Sequence, residues 1–174
     1  FNELDALVNI DFDTRTIKKE HTSLTFIRIG TSGAIQEDIP IDSFLISEKA
    51  IGFDNLLRFY DTGSLLDDGF SEALKIHCKW NPQNATPYVV EASKKLLLDF
   101  SDTIFRKGCT ATNVGFYGPQ GRQLRLRPIN SMLNEELTDF SFHRHRITNF
   151  EMETSALFGF GKLLDHNCLR FVLL

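Results

Sequence analysis

Two carboxylates separated by one methionine are the residues of this sequence best suited to chemistry. Glu151, Met152 and Glu153 follow an apolar segment typical of a buried strand, and a helical apolar pattern begins at Ala156. Ligands of open α/β sheets bind at the carboxyl ends of strands, and carboxylates there can accept hydrogen bonds from sugar hydroxyls. Acids are also common at the positive end of a helix dipole, so a purely structural role for both glutamates stays open.

A second stretch, near the start of the chain, predicts an anion site. The segment 24–29, apolar but for Thr25 and Arg28, predicts a short buried strand and runs directly into residues 30–33, which read Gly-Thr-Ser-Gly. A strand that ends in such small residues can expose backbone N–H groups and hydroxyls to an anion. Arg28, two residues before the first glycine, could add a bidentate, charge-assisted contact. The alternative is a plain glycine turn beside a surface arginine.

The elements that must position these residues alternate between strand and helix. We expect one domain over 1–174, because the sequence contains no internal repeat or linker. Alternating strands and helices predict an α/β fold with three layers, a mixed central sheet covered by helices on both faces. The strands are predicted at 24–29, 44–46, 107–116, up to 149 and from 171, and the helices at 1–10, 87–100 (capped by Thr86), 134–142 and 156–164.

Composition excludes several classes of function. The net charge of −4 over 174 residues gives no reason to expect a nucleic-acid partner. No apolar run is long enough to cross a membrane, and the first residues given do not have the pattern of a signal peptide. The three cysteines lack metal-ligand spacing and predict reduced thiols in a cytoplasmic protein. Because the chain starts inside an apparent helix and stops inside an apparent strand, we expect it to be an incomplete part of a longer sequence.

Three stretches together resemble the nucleoside phosphorylases of the uridine phosphorylase type. Residues 26–35 are similar to the phosphate-binding strand and loop of that family, and residues 116–122 (Phe-Tyr-Gly-Pro-Gln-Gly-Arg) to its pyrimidine-binding loop. Residues 149–154 are similar to its ribose-binding Glu-Met-Glu motif. Their order and separations make the combination specific. The Gly-Asp-Pro-type loop with which the family begins has no counterpart here.

The resemblance implies a role for each residue of these stretches. Three of these residues also have an alternative role that involves no ligand. Glu151 could be a structural acid, and Phe116 could pack in the core. Arg122 could be a solvated surface residue, like the other two arginines of its loop. Inorganic phosphate would be the co-substrate, with no metal or cofactor. The implied site has catalytic Arg28, Glu153 and Arg122; phosphate-binding Arg28, Gly30, Thr31 and Ser32; ribose-binding Glu151, Met152 and Glu153; and base-binding Phe116, Gln120 and Arg122.

The implied reaction is phosphorolysis of a pyrimidine nucleoside, in which uridine and phosphate give uracil and ribose 1-phosphate for nucleoside salvage. The resemblance also implies a hexamer built from dimers. Three alternatives stay open: a hydrolytic nucleosidase, a purine nucleoside phosphorylase, and a non-catalytic paralogue that binds nucleosides. The phosphate-reading Arg28 and the pyrimidine-reading Gln120 and Arg122 favour the phosphorylase over the nucleosidase.

Overall fold

A mixed β-sheet organises the protein in the computed structural model, which describes residues 1–100 and 104–174. The strand order is β3-β10-β5-β7-β9-β4, with β6 added to β5 and β8 to β9. The pairs β3/β10, β5/β7 and β7/β9 are parallel, and the pairs β5/β10, β5/β6 and β4/β9 are antiparallel. The strands are β1 Ile10–Asp11, β2 Thr16–Ile17, β3 Thr25–Thr31, β4 Gly33–Ala34, β5 Phe44–Gly52, β6 Tyr88–Glu91, β7 Arg106–Thr112, β8 Ser141–Phe142, β9 His145–Glu151 and β10 Asn167–Leu173.

Helices cover the sheet on both sides, as the sequence predicts. One apolar core packs Phe70, Leu74 and Leu137 from two helices against the sheet. The second core packs Leu96 and Phe158 from two other helices against the opposite side. The helices are α1 Asn2–Asn9, α2 Asp68–His77, α3 Lys94–Asp99, α4 Leu133–Asp139 and α5 Thr154–Leu163, with short 3-10 turns at Leu56–Phe59 and Gly118–Gln120.

The sheet curls so far that its two edges meet at one residue. Ser32 alone separates β3 from β4, yet these strands lie at opposite ends of the strand order. The backbone N–H of Ser32 donates to the carbonyl of Leu173 in β10 at 3.1 Å, and its hydroxyl donates to the carbonyl of Phe150 in β9. Ser32 therefore joins the two edges, and the predicted anion loop is the seam of a closed sheet.

The helix predicted over 87–100 is wrong in its first half. Residues Tyr88–Glu91 form β6, which pairs with β5, and α3 begins only at Lys94. Its cap is Ser93, whose hydroxyl accepts from the backbone N–H of Leu96, and not Thr86. The predicted strands 44–46 and 107–116 also differ in length, since β5 extends to Gly52 and β7 ends at Thr112.

No helix within residues 1–100 and 104–174 is both long enough and apolar enough to cross a membrane.

Candidate active site

The acidic turn at the end of β9 holds two glutamates in different environments. Glu151 is buried, and its carboxylate accepts from the backbone N–H of Glu153 at 3.0 Å and of Thr154 at 2.9 Å. It also accepts from the hydroxyl of Thr112 at 2.6 Å. Burial raises the pKa of Glu151, and these hydrogen bonds oppose the rise. Glu151 thus satisfies N–H groups that the start of α5 leaves free, which is the structural role left open by the sequence.

Glu153 faces the open side of the same turn. It stands at the position preceding α5, but its carboxylate makes no capping bond. Instead it accepts from Nη2 of Arg28 at 2.8 Å, and its side chain is 48% exposed. Met152, between the two glutamates, is 47% exposed. The arrangement leaves Glu153 and Met152 accessible to a ligand while Glu151 supports the turn from behind.

Arg28 and residues 30–32 form a compact cationic loop. Nη1 of Arg28 is buried and makes no hydrogen bond with the residues that the structure describes. Gly30 allows this packing, since a Cβ atom there would lie 3.3 Å from Nη1 of Arg28 and 3.8 Å from Nη2 of Arg170. Thr31 is exposed at the end of β3. The loop therefore combines a guanidinium group that has an unused donor with an exposed threonine three residues later, and guanidinium groups are suited to oxyanions.

A row of buried polar side chains fixes this loop to three strands. The hydroxyls of Ser47 in β5 and Thr110 in β7 are 2.6 Å apart. Thr110 donates to Oδ1 of Asn149 in β9 at 3.0 Å, and Nδ2 of Asn149 donates to the hydroxyl of Ser32 at 2.9 Å. Because buried hydrogen-bonded networks are rigid, the row holds Ser32 in one position relative to the acidic turn that ends β9.

The predicted base loop folds onto its own arginine. Phe116 is 52% exposed, so the core-packing alternative is wrong. The guanidinium of Arg122 lies 4.1 Å from the centre of the Phe116 ring, and its Nη1 donates to the carbonyl of Phe116 at 2.8 Å and to Oε1 of Gln120. Gln120 is buried, whereas Arg125 and Arg127 are exposed. Arg122 is therefore bound within the loop and is not one of three equally solvated arginines.

The three predicted stretches adjoin one another in the structure. Arg28 touches Glu153 directly. Gly33 pairs with Phe150 of β9, and a Cβ atom on Gly33 would lie 3.2 Å from Nη2 of Arg122. The cationic loop thus lies between the acidic turn and the base loop. A ligand with an anion, a sugar and a ring could contact all three, although the role of each residue stays a prediction.

A cavity of about 580 Å³ opens on the other side of the base loop. Gly118 and Pro119 of the loop line it, together with Phe53 and Trp80, whose rings stack at 4.9 Å, and the buried Asn113. Its volume suits a small molecule. None of the residues predicted to bind phosphate, ribose or base lines this cavity, which touches the 116–122 stretch only at Gly118 and Pro119.

Sequence reasoning missed two sets of buried polar residues near the acidic turn. Arg170 lies in β10 in register with Arg28, and its only signal was one arginine within an apolar strand. In the second set, Asp54 accepts from the hydroxyls of Tyr88 and Ser155, each at 2.6 Å. The backbone N–H of Ser155 in turn donates to Thr112, the partner of Glu151, so this set also fixes the start of α5.

Replacing Gly121 with alanine should destabilise the base loop. Gly121 has φ = +70°, and a Cβ atom there would lie 2.5 Å from Oδ1 of Asn134. A side chain in this left-handed conformation costs about 1–2 kcal/mol, before the clash is counted. The midpoint of thermal unfolding should fall by several degrees. The matched control is Gly118→Ala in the same loop, where a Cβ atom has no heavy atom within 4 Å. Equal midpoints for the two variants would contradict this account.

Comparison with known proteins identifies the fold and the superfamily of the chain. The structure resembles a Trypanosoma brucei nucleoside phosphorylase that shows uridine phosphorylase activity, with a TM-score of 0.80 and 23% sequence identity over 99% of this chain. It also resembles a uridine phosphorylase of the oomycete Phytophthora capsici, with a TM-score of 0.51 and 21% identity over 89% of this chain. The chain spans 64% and 56% of these two proteins, and no curated protein matches it. The model of the phosphorylase superfamily matches residues 7–174, and the chain belongs to that superfamily.

Proposed function

We propose that the protein catalyses phosphorolysis of pyrimidine nucleosides, with uridine as the preferred substrate. The observation that carries the proposal is the 2.8 Å contact between Arg28 and Glu153. It joins a guanidinium suited to phosphate with a half-exposed carboxylate suited to sugar hydroxyls. Phosphate and C1′ of the ribose must be neighbours in this reaction, and residues that hold them must be neighbours too.

The proposed reaction needs no nucleophilic side chain. An oxygen of phosphate forms a bond to C1′ while the bond from C1′ to the base breaks, and the electron pair of that bond goes to the base. Positive charge develops on the sugar and negative charge on the departing uracil. Positioning and electrostatic stabilisation therefore dominate catalysis. Glu153 would stabilise the sugar side, and donors aimed at the uracil carbonyls would stabilise the leaving group.

The contacts within the base loop support a pyrimidine. Uracil has one N3–H donor between two carbonyl acceptors, and a glutamine amide can answer the N3–H and one carbonyl together. In the structure Oε1 of Gln120 accepts from Arg122, whose guanidinium covers a face of Phe116. A base that stacks on this face would displace the guanidinium. The displacement would free Gln120 for N3–H and let Arg122 donate to the second carbonyl.

The test is a nucleoside panel assayed with and without inorganic phosphate. We expect uridine to be cleaved fastest, only when phosphate is present, with ribose 1-phosphate as the sugar product. Thymidine should follow, and cytidine, inosine and adenosine should be slower, because mismatched polar groups in such a site can reduce the rate by about 10⁴-fold.

Each other outcome identifies one of the alternatives. Faster cleavage of inosine or adenosine than of uridine would indicate a purine enzyme. Equal rates without phosphate would indicate a nucleosidase. Binding of uridine without any turnover would indicate a non-catalytic paralogue. Any of the three contradicts the proposal.

A further inference from the structure

Arg170 has N–H donors that the protein itself only partly satisfies. Its side chain is completely buried in the middle of β10. Nη2 donates to the carbonyl of Thr31 at 3.4 Å, whereas Nε and Nη1 have no hydrogen-bond partner among residues 1–100 and 104–174. A guanidinium has five N–H donors and stays charged in proteins, so leaving donors unpaired in the interior is strongly unfavourable. A buried guanidinium with free donors is therefore a candidate to bind an anion.

The nearby carboxylates balance the charge of Arg170 but do not accept its free N–H donors. Oε2 of Glu151 lies 3.7 Å from Nη1 of Arg170, so the two groups form a buried ion pair without a hydrogen bond. Its carboxylate already accepts from Thr112 and from two backbone N–H groups. Glu153, the other carboxylate of the turn, is paired with Arg28. Arg28 and Arg170 therefore lie near two acids, Glu151 and Glu153. Glu151 already uses its oxygens to accept hydrogen bonds at the start of α5.

Arg170 and Arg28 converge on one small space. They are partners in the parallel register of β10 and β3, so both side chains lie on the same face of the sheet. A methyl group on Gly30 would meet Nη1 of Arg28 at 3.3 Å and Nη2 of Arg170 at 3.8 Å. Glycine therefore lets both guanidinium groups lie close to the backbone at position 30. An anion at the loop would reduce their mutual repulsion and could accept from both.

We propose that Arg170 is a second anion-binding arginine, whose guanidinium acts with Arg28 on one oxyanion of the phosphate class at residues 30–32. The inference rests on the proposed function, and it adds a residue to the phosphate site. Arg170 also donates a hydrogen bond to the carbonyl of Thr31, so it helps to position the backbone of the loop. A tetrahedral dianion suits the pair better than a carboxylate, because it has more acceptor oxygens and a larger negative charge to share between two cations.

The first experiment measures binding of inorganic phosphate by calorimetry, without nucleoside, to the native protein, Arg170→Met and Arg170→Lys. Methionine has a similar length and no charge, and replacing a buried charge by an apolar residue is often tolerated. We expect Arg170→Met to bind phosphate at least about tenfold more weakly, with its thermal midpoint in phosphate-free buffer unchanged or higher. Arg170→Lys should recover part of the affinity. In turnover assays the KM for phosphate should rise and the KM for uridine should stay within twofold.

Phosphate affinity of folded Arg170→Met within twofold of the native value would overturn the inference. A second measurement needs no folded methionine variant. In protein labelled with ¹⁵N-arginine, phosphate should shift the Nε–H signal of Arg170, which is identified by its absence in Arg170→Lys. A signal that does not move during the titration also overturns the inference. Phosphate binding that ignores Arg170 leaves the proposed function intact, whereas a native protein that binds no phosphate refutes both.

Discussion

The Arg28→Ala variant should bind phosphate about 10- to 100-fold more weakly, because losing a charged hydrogen bond costs about 1.5–3 kcal/mol. Nη2 of Arg28 donates to Glu153, but its Nη1 is buried and makes no hydrogen bond with the described residues. Nη1 is therefore the donor that could bind phosphate. The loss should appear in the KM for phosphate at saturating uridine. The fold-change in the KM for uridine should be at least about ten times smaller than that in the KM for phosphate, since the carboxylate of Glu153 remains in place.

The matched control for this variant is Arg106→Ala, which removes an exposed arginine at the start of β7. It lowers the net charge by the same amount without touching the cationic loop, and should leave both KM values unchanged. If Arg28→Ala and Arg106→Ala had the same phosphate KM as the native protein, the phosphate role of Arg28 would be wrong. Thermal unfolding of both variants shows whether any loss of affinity reflects loss of the fold.

Glu153→Gln should reduce kcat/KM for uridine by about 100-fold, the scale of one electrostatic contact made in the transition state. A neutral amide accepts sugar hydroxyls less strongly than a carboxylate and does less to stabilise positive charge on the ribose. The thermal midpoint should change little. The side chain makes no capping bond to α5, and a half-exposed ion pair such as that with Arg28 stabilises a protein by about 0–1 kcal/mol.

Glu135→Gln provides the control for Glu153→Gln. Glu135 is an exposed acid in the first turn of α4, so its loss reproduces the effect on a helix dipole alone. It should leave activity unchanged. A Glu153→Gln variant that unfolded at a much lower temperature, yet kept its specific activity when folded, would assign Glu153 to structure and remove it from the ribose site.

The predicted fold class is confirmed, whereas the bounds of several elements depend on contacts that only the folded chain provides. The strand over 24–29 and the mixed sheet with helices on both sides follow from the sequence pattern and are confirmed. β5 was predicted too short because Ser47 and Lys49 interrupt its apolar run. Ser47 is paired with Thr110, and Lys49 with Asp67 and Glu91, which only the folded chain brings near.

The erroneous helix over 87–100 has a different cause. Val89 and Val90 stand seven residues before Leu96 and Leu97, and this spacing fits a helix. A short apolar run fits a buried strand equally well, and pairing with β5 decides between them. Val89 then packs into one core and Val90 into the other.

In the candidate site, too, some features can be predicted from short stretches of sequence, whereas others depend on the folded structure. Arg28, Glu153 and the base loop stand in short stretches with recognisable residue types, so the sequence alone is enough to predict a role for them, and these roles stay predictions. The burial of Arg170 beside Arg28 depends on the register of β10 with β3, and the separation of Glu151 from Glu153 depends on which carboxylate turns toward α5. Neither arrangement can be inferred from residue spacing.

Closure of the sheet at Ser32 has a consequence for motion. The two edges of the closed sheet are joined through hydrogen bonds of one residue, Ser32, which stands between β3 and β4, so the opening of both edges is coupled there. An anion bound at residues 30–32 would contact the junction between the two edges and stabilise both. Amide hydrogen exchange in β3 and β4 would then be slower with the anion bound, and would become faster in both strands together when the anion is lost.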